Sequence, residues 1–221
     1  MMERMGLFGG TFDPIHLGHL QAAREVRERF ALDRILFVPS FIPPHKERKG
    51  MAPARDRLRM VELACAGEPR FAASSIEVDA GGRSYSILTL ERIRTLYPGA
   101  LVFFILGVDA FLEIGTWREH ERVLEESLFI VMTRPGARLE DAAEVVGEPF
   151  RNRVRAIVDG EPFDETWLED FRIFLLPIRA LDVSSTEVRR CVRAGETVAD
   201  LVPEAVGGYI RSHGLYRELE A

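Results

Sequence analysis

Along the 221 residues, short apolar runs alternate with stretches in which apolar positions recur every three or four residues. The runs lie at 5–8, 34–38, 71–78, 101–106, 128–132 and 172–176, each of strand length and bounded by turn-forming residues. Between them Leu20, Ala23, Val26 and Phe30 keep helical spacing, as do Leu58, Val61 and Cys65, and then Ile87, Leu90 and Ile93. Strands separated by helices predict crossover connections and hence a parallel sheet. The run at 101–106, LVFFIL, has no polar face, so its strand must be covered on both sides. The fold class expected is α/β, a doubly wound parallel sheet, with function in the loops just beyond the carboxyl ends of the strands.

One domain is expected over 1–221: an α/β core to about residue 180, then a small helical part in which Val206, Tyr209 and Ile210 mark a helix that stops at Gly214. Between residues 139 and 170 the periodicity is broken by charges and by Gly147, Pro149, Gly160 and Pro162, which predicts a surface insertion.

Composition narrows the classes. A formal charge of −6 argues against a protein that coats nucleic acid, since such binding rests on many basic phosphate contacts. Cys65 and Cys191 are the only cysteines and form no CxxC pair, which fits a reduced, cytoplasmic setting. No signal-like stretch opens the chain and no apolar run approaches the roughly 20 residues needed to span a bilayer, so a soluble chain is expected. Lys46 and Lys49 are the only lysines among 29 basic residues, and their clustering in PPHKERK suggests that an ammonium is wanted there.

The densest candidate chemistry lies at residues 9–20, GGTFDPIHLGHL. Gly9 and Gly10 suit a sharp turn and close approach to a ligand, and the start of the following helix favours an anion. His16 and His19, three residues apart, face the same way and can both reach one phosphate. Two other readings of these residues stand. Asp13, His16 and His19 could form a two-histidine, one-carboxylate metal set, or Asp13 could be an N-cap with Pro14 in the first helical position. A second anion element lies at residues 182–189, DVSSTEVR. Ser184 and Glu187 have capping-box spacing, and Arg189 follows one turn into the helix. That pattern suits either a plain helix start or a phosphate grip.

The motif at 9–20 resembles the HxGH signature of the nucleotidyltransferase superfamily, and in its longer form the nicotinate mononucleotide adenylyltransferases. PPHK at Pro43, Pro44, His45 and Lys46, GVD leading to Trp117, RPG beginning at Arg134, and SSTEVR from Ser184 resemble further elements of that family in the same order. The resemblance covers nearly the whole chain. It implies a Rossmann-like nucleotidyltransferase that transfers the adenylyl group of ATP to nicotinate mononucleotide, giving deamido-NAD and pyrophosphate in NAD biosynthesis. Magnesium would travel with ATP, with no metal held by the protein itself. His16 and His19 are implied as catalytic, holding the α-phosphate. Gly9, Gly10, Thr11, Phe12, Ser184, Ser185, Thr186 and Arg189 are implied for ATP; His45, Lys46, Ser86, Thr89, Asp109, Trp117 and Arg134 for the mononucleotide. Trp117 reads equally as a core residue, and Leu88 stands where relatives often carry a polar one. Neither nucleic acid nor membrane is implied as a partner, and a homo-oligomer is compatible. The rival readings are another member of the superfamily acting on pantetheine phosphate or with CTP, a metal-dependent hydrolase, and a silent nucleotide-binding module.

Overall fold

A computed structural model describes residues 2–43, 50–133, 139–179 and 181–217, without the side chains of 139–141. The strands are β1 (Arg4–Gly10), β2 (Arg34–Pro39), β3 (Phe71–Ala73), β4 (Leu101–Gly107), β5 (Leu128–Thr133), β6 (Val154–Ala156) and β7 (Ile173–Pro177). They form one seven-stranded sheet in the order β3-β2-β1-β4-β5-β7-β6. The helices are α1 (Leu17–Arg29), α2 (Ala54–Cys65), α3 (Ile76–Ala80), α4 (Ser86–Leu96), α5 (Val108–Leu112), α6 (His120–Glu126), α7 (Leu139–Val146), α8 (Trp167–Asp170), α9 (Ser185–Arg193) and α10 (Glu204–Ser212). The sheet flanked by helices is the α/β class expected from the alternation. Among the described residues no helix is long and apolar enough to cross a membrane.

The chain divides into two compact units, each assembled from three separated stretches. The first comprises Met1–Gly9, Ala22–Ile35 and Tyr85–Arg179. In it β1, β4, β5, β7 and β6 pair in parallel, with Phe8 opposite Ile105, Gly107 opposite Met132, Thr133 opposite Pro177 and Ala156 opposite Leu175. All six residues of β5 and the first four of β7 are buried, as a strand without a polar face requires. Phe30, Phe103, Phe163, Phe174 and Trp167 pack edge to face or tilted, with ring centroids 5.0 to 6.4 Å apart.

The second unit comprises Gly10–Gln21, Leu36–Ser84 and Ala180–Ala221. Its apolar contacts include the Phe37 ring against Phe12 and Phe71, at 5.7 and 5.4 Å. Helix α10 is tied to α2 by the Tyr209 hydroxyl, which donates to Asp56 Oδ1 at 2.8 Å.

Three sequence expectations change. The strand expected over 71–78 ends at Ala73, and Ile76 to Ala80 form a short helix. Ile76 and Val78 alternate as in a strand, but the Asp79 and Gly81 N–H groups donate to the Ser75 and Glu77 carbonyls at 2.8 and 3.2 Å, closing helical turns that end at Gly81, φ +65°. The surface insertion expected over 139–170 contains working parts of the first unit. It contributes edge strand β6 and buries Ala142, Val146, Phe150 and Ile157. Leu139, Ala142 and Val146 keep helical spacing, but only over the two turns of α7 before Gly147 and Pro149 interrupt it. Finally, α1 begins at Leu17, so Pro14 is not its first residue and Asp13 is not its cap.

Candidate active site

The Gly10–Gln21 stretch leaves the end of β1, and the sharp turn is not made by the two glycines. Gly9 and Gly10 are the last residues of the strand; Phe12, at φ +48°, takes the left-handed conformation. Gly10 is needed for another reason, because a Cβ there would lie 2.9 Å from the Phe12 ring. Phe12 is 2% exposed, its side chain inside the fold, and its ring meets His19 edge-on at 5.1 Å.

His16 precedes α1 and His19 lies in its first turn. Their rings stack with centroids 3.6 Å apart and planes 30° apart. The His16 N–H donates to His19 Nδ1 at 3.2 Å, which makes Nδ1 an acceptor and puts the proton of the neutral ring on Nε2. His16 is 7% exposed, and its Nδ1 has no hydrogen-bond partner among the described residues. Burial lowers its pKa to about 4, so the ring is neutral near pH 7. Gly18 preserves the space beside it: a Cβ there would lie 3.1 Å from His16 Nδ1.

Asp13 is buried and engaged. Its Oδ1 accepts from the Ala52 N–H at 3.0 Å and from the Tyr216 hydroxyl at 2.7 Å. Those bonds turn the carboxylate toward other partners than the two stacked imidazoles. No group of three or more His, Cys, Asp or Glu side chains among the described residues could hold a metal ion.

Helix α9 joins the same loop. Ser184, extended at φ −130°, caps it by accepting from the Glu187 N–H at 3.2 Å. The Ser185 hydroxyl donates to the Pro14 carbonyl at 2.9 Å. Arg189 donates through Nη1 to the Asp13 carbonyl at 2.6 Å and through Nη2 to Thr186 Oγ1 at 3.2 Å. The starts of α1 and α9 are therefore held against one short loop, with two imidazoles, two serines, a threonine and a guanidinium around it. Such a set suits a polyanion, which gains hydrogen bonds, positive charge and two helix dipoles together. One α1 donor is already used, since the Leu17 N–H bonds to the Leu201 carbonyl at 2.9 Å.

Sequence reasoning missed the residue that braces this loop. Arg57, wholly buried in α2, donates to the carbonyls of Ala52 (3.0 Å), Thr11 (2.6 Å) and Phe41 (3.0 Å). Burial lowers its pKa and the nearby Asp13 charge opposes that shift. The signal was its spacing: Arg57, Val61 and Ala64 fall on one face of α2, so the arginine lies on an apolar stripe rather than in the surrounding charge run.

The residues expected to bind the mononucleotide are distributed differently. In the first unit, Ser86 opens α4 and is half-buried, whereas Thr89 is 2% exposed with its hydroxyl 3.4 Å from the Tyr85 carbonyl. Asp109 is exposed in the first turn of α5, directly after β4. Trp117 is half-buried, extended at the end of a 3-10 turn, and meets Phe104 edge-on at 6.0 Å, so it is neither on a helix nor fully in the core. The Arg118 guanidinium lies over the Tyr85 ring, 5.1 Å from its centre. His45, Lys46 and Arg134 lie outside the described residues.

A family model described as cytidylyltransferase-like matches residues 7–191. A protein of Desulfatibacillum aliphaticivorans named "Probable nicotinate-nucleotide adenylyltransferase" is 44% identical over 96% of this chain and 99% of its own length. One of the same name from Thermus thermophilus is 42% identical over 97% of this chain and all of its own. Among solved structures, the Plasmodium falciparum nicotinic acid mononucleotide adenylyltransferase in complex with NaAD superposes with a TM-score of 0.69, covers 97% of each chain and is 19% identical, a likeness of fold. Through the matching model and these full-length relatives, the chain belongs to the nicotinate-nucleotide adenylyltransferases of the cytidylyltransferase-like family.

Proposed function

We propose that this chain transfers the adenylyl group of ATP to nicotinate mononucleotide, giving deamido-NAD and pyrophosphate. The observation that carries the reading is the loop at 10–19, where His16 and His19 stack at the start of α1 and α9 is tied to Asp13 and Pro14 by Arg189 and Ser185. ATP occupies that loop. His16 and His19 hold the α-phosphate, Gly9, Gly10, Thr11 and Phe12 shape its entry, and Ser184, Ser185, Thr186 and Arg189 hold the β- and γ-phosphates. Ser86, Thr89, Asp109 and Trp117, with His45, Lys46 and Arg134, serve the mononucleotide. The Asp109 carboxylate accepts from substrate hydroxyls, and Trp117 offers a ring face.

In the reaction a phosphate oxygen of the mononucleotide attacks the α-phosphorus in line. The bond from phosphorus to the bridging oxygen breaks, and pyrophosphate leaves with that electron pair. The attacking oxygen is already anionic, so no general base is required. His19, with its ring proton on Nε2, donates to the phosphoryl oxygens as their charge grows, while approach of that anion raises the pKa of His16 and favours its charged form. Among the described residues the donors fit phosphate oxygens and no group of carboxylates could hold a metal, so magnesium would arrive with ATP and would supply charge neutralisation for the pyrophosphate.

Pyrophosphate release, measured with ATP or CTP against nicotinate mononucleotide, its amide and pantetheine phosphate, tests this assignment. ATP with nicotinate mononucleotide is expected to win, and His19→Ala to lower its kcat by ~10²- to 10³-fold. Preference for CTP or pantetheine phosphate moves the chain to another reaction of the superfamily, and unchanged kcat in the variant removes His19 from the chemistry.

A further inference from the structure

We infer that Tyr216 is a positioning residue for ATP: its hydroxyl fixes the Asp13 carboxylate and thereby keeps the Arg189 guanidinium available for phosphate. The inference rests on the assignment of Arg189 to the β- and γ-phosphates. After α10 the chain turns at Gly214, φ +60°, and brings Tyr216 back to the loop with its own φ at +63°. A left-handed backbone is unfavourable for a tyrosine and persists only where surrounding contacts hold it. The contact is the 2.7 Å hydrogen bond from its hydroxyl to Asp13 Oδ1, an atom that also accepts from Ala52. Burial and the Asp13 charge both raise the pKa of the phenol, so it is protonated and a donor at neutral pH.

Asp13 is the residue against which Arg189 is set. Arg189 Nη1 donates to its main-chain carbonyl at 2.6 Å and lies 3.7 Å from its Oδ2. The latter is a long ion pair. Two donors on Oδ1 hold the carboxylate in an orientation that leaves the pair open. With the hydroxyl removed, one donor remains; the carboxylate is freer to rotate onto the guanidinium and to compete with phosphate for it. Tyr216 therefore acts on ATP recognition through two residues without touching the ligand.

The test is a double-mutant cycle on the full chain with Tyr216→Phe, Arg189→Ala and the pair together, following KM and kcat for each substrate. Tyr216→Phe is expected to raise the KM for ATP about three- to tenfold with the mononucleotide KM unchanged. In the Arg189→Ala background the same substitution is expected to add nothing, because the group it serves is gone. A purely structural tyrosine instead moves both substrates and adds its full effect in either background, and that result overturns the inference. An Arg189→Ala effect on ATP without any from Tyr216→Phe also defeats it while sparing the ATP assignment. If Arg189→Ala leaves ATP kinetics untouched, the assignment falls and the inference with it. ATP binding measured below the melting transition repeats the cycle if Tyr216→Phe lowers thermal stability.

Discussion

His16 concentrates the physical tension of the loop. A buried imidazole whose pKa falls to about 4, against 6.5 in an unfolded chain, must stay neutral for the native state to be at its most stable. Between pH 6.5 and 4 the unfolded chain takes up a proton that the folded chain refuses. Stability is therefore fully present above pH 6.5, declines as the pH falls through that window, and levels off below 4. The loss attributable to this group is on the order of 3 kcal/mol. His16→Asn is expected to flatten the decline, read from urea midpoints at pH 7, 5.5 and 4.5; parallel profiles for the two proteins would assign it to other groups. A bound phosphate acts in the opposite sense by favouring the charged ring, so saturating ATP reduces the acid sensitivity of the natural protein. The same features that make His16 responsive to an anion thus make it a liability without one.

At the scale of elements, two fastenings hold the loop, and they differ in strength. Ser184 caps α9 with one hydrogen bond at a half-open helix end, so Ser184→Ala costs about 1 kcal/mol. Arg57 satisfies three carbonyls inside α2's packing face, and Arg57→Met, which keeps the aliphatic stem, leaves them without that donor; the expected loss is about 3 kcal/mol or more. Urea denaturation of both variants checks the ranking, and equal losses would mean that water replaces the guanidinium at little cost. The two elements were not equally legible. The capping box around Ser184 is local, since Ser and Glu three residues apart suffice to write it. Arg57 is legible only through helical spacing inside a charge run, and its partners Thr11 and Phe41 are distant in sequence. Strand β6 was hidden for another reason: it is three residues at a sheet edge, none of them fully buried, and so short a run leaves no periodic trace. Tyr216 is further still from its partner, 203 positions along the chain from Asp13.

At the scale of the whole molecule, most of the order of strands and helices was readable because the apolar runs of β1, β2, β4, β5 and β7 span largely buried strands and the helical periods of α1, α2 and α4 mark packed faces, whereas only the first three residues of the run at 71–78 are strand. What the linear pattern does not carry is the partition of the chain into units. Gly10–Gln21 and the segment from Ala180 onward belong together although most of the sheet lies between them in sequence. That partition makes a prediction about ligands. If ATP takes the loop at 10–19 and the start of α9, ATP alone slows hydrogen exchange at 10–21 and 184–190, in the second unit. Nicotinate mononucleotide alone then slows exchange at 86–90 and 107–117, in the first, where Ser86, Asp109 and Trp117 stand. Exchange reads local opening, so protection appears where a ligand removes the open states rather than only where it bonds an amide. Protection by ATP confined to 86–117, or by the mononucleotide confined to 10–21, would exchange the two assignments. Protection by ATP spread evenly over both units would instead mean that the ligand stabilises the fold globally, because opening of either unit then requires its release.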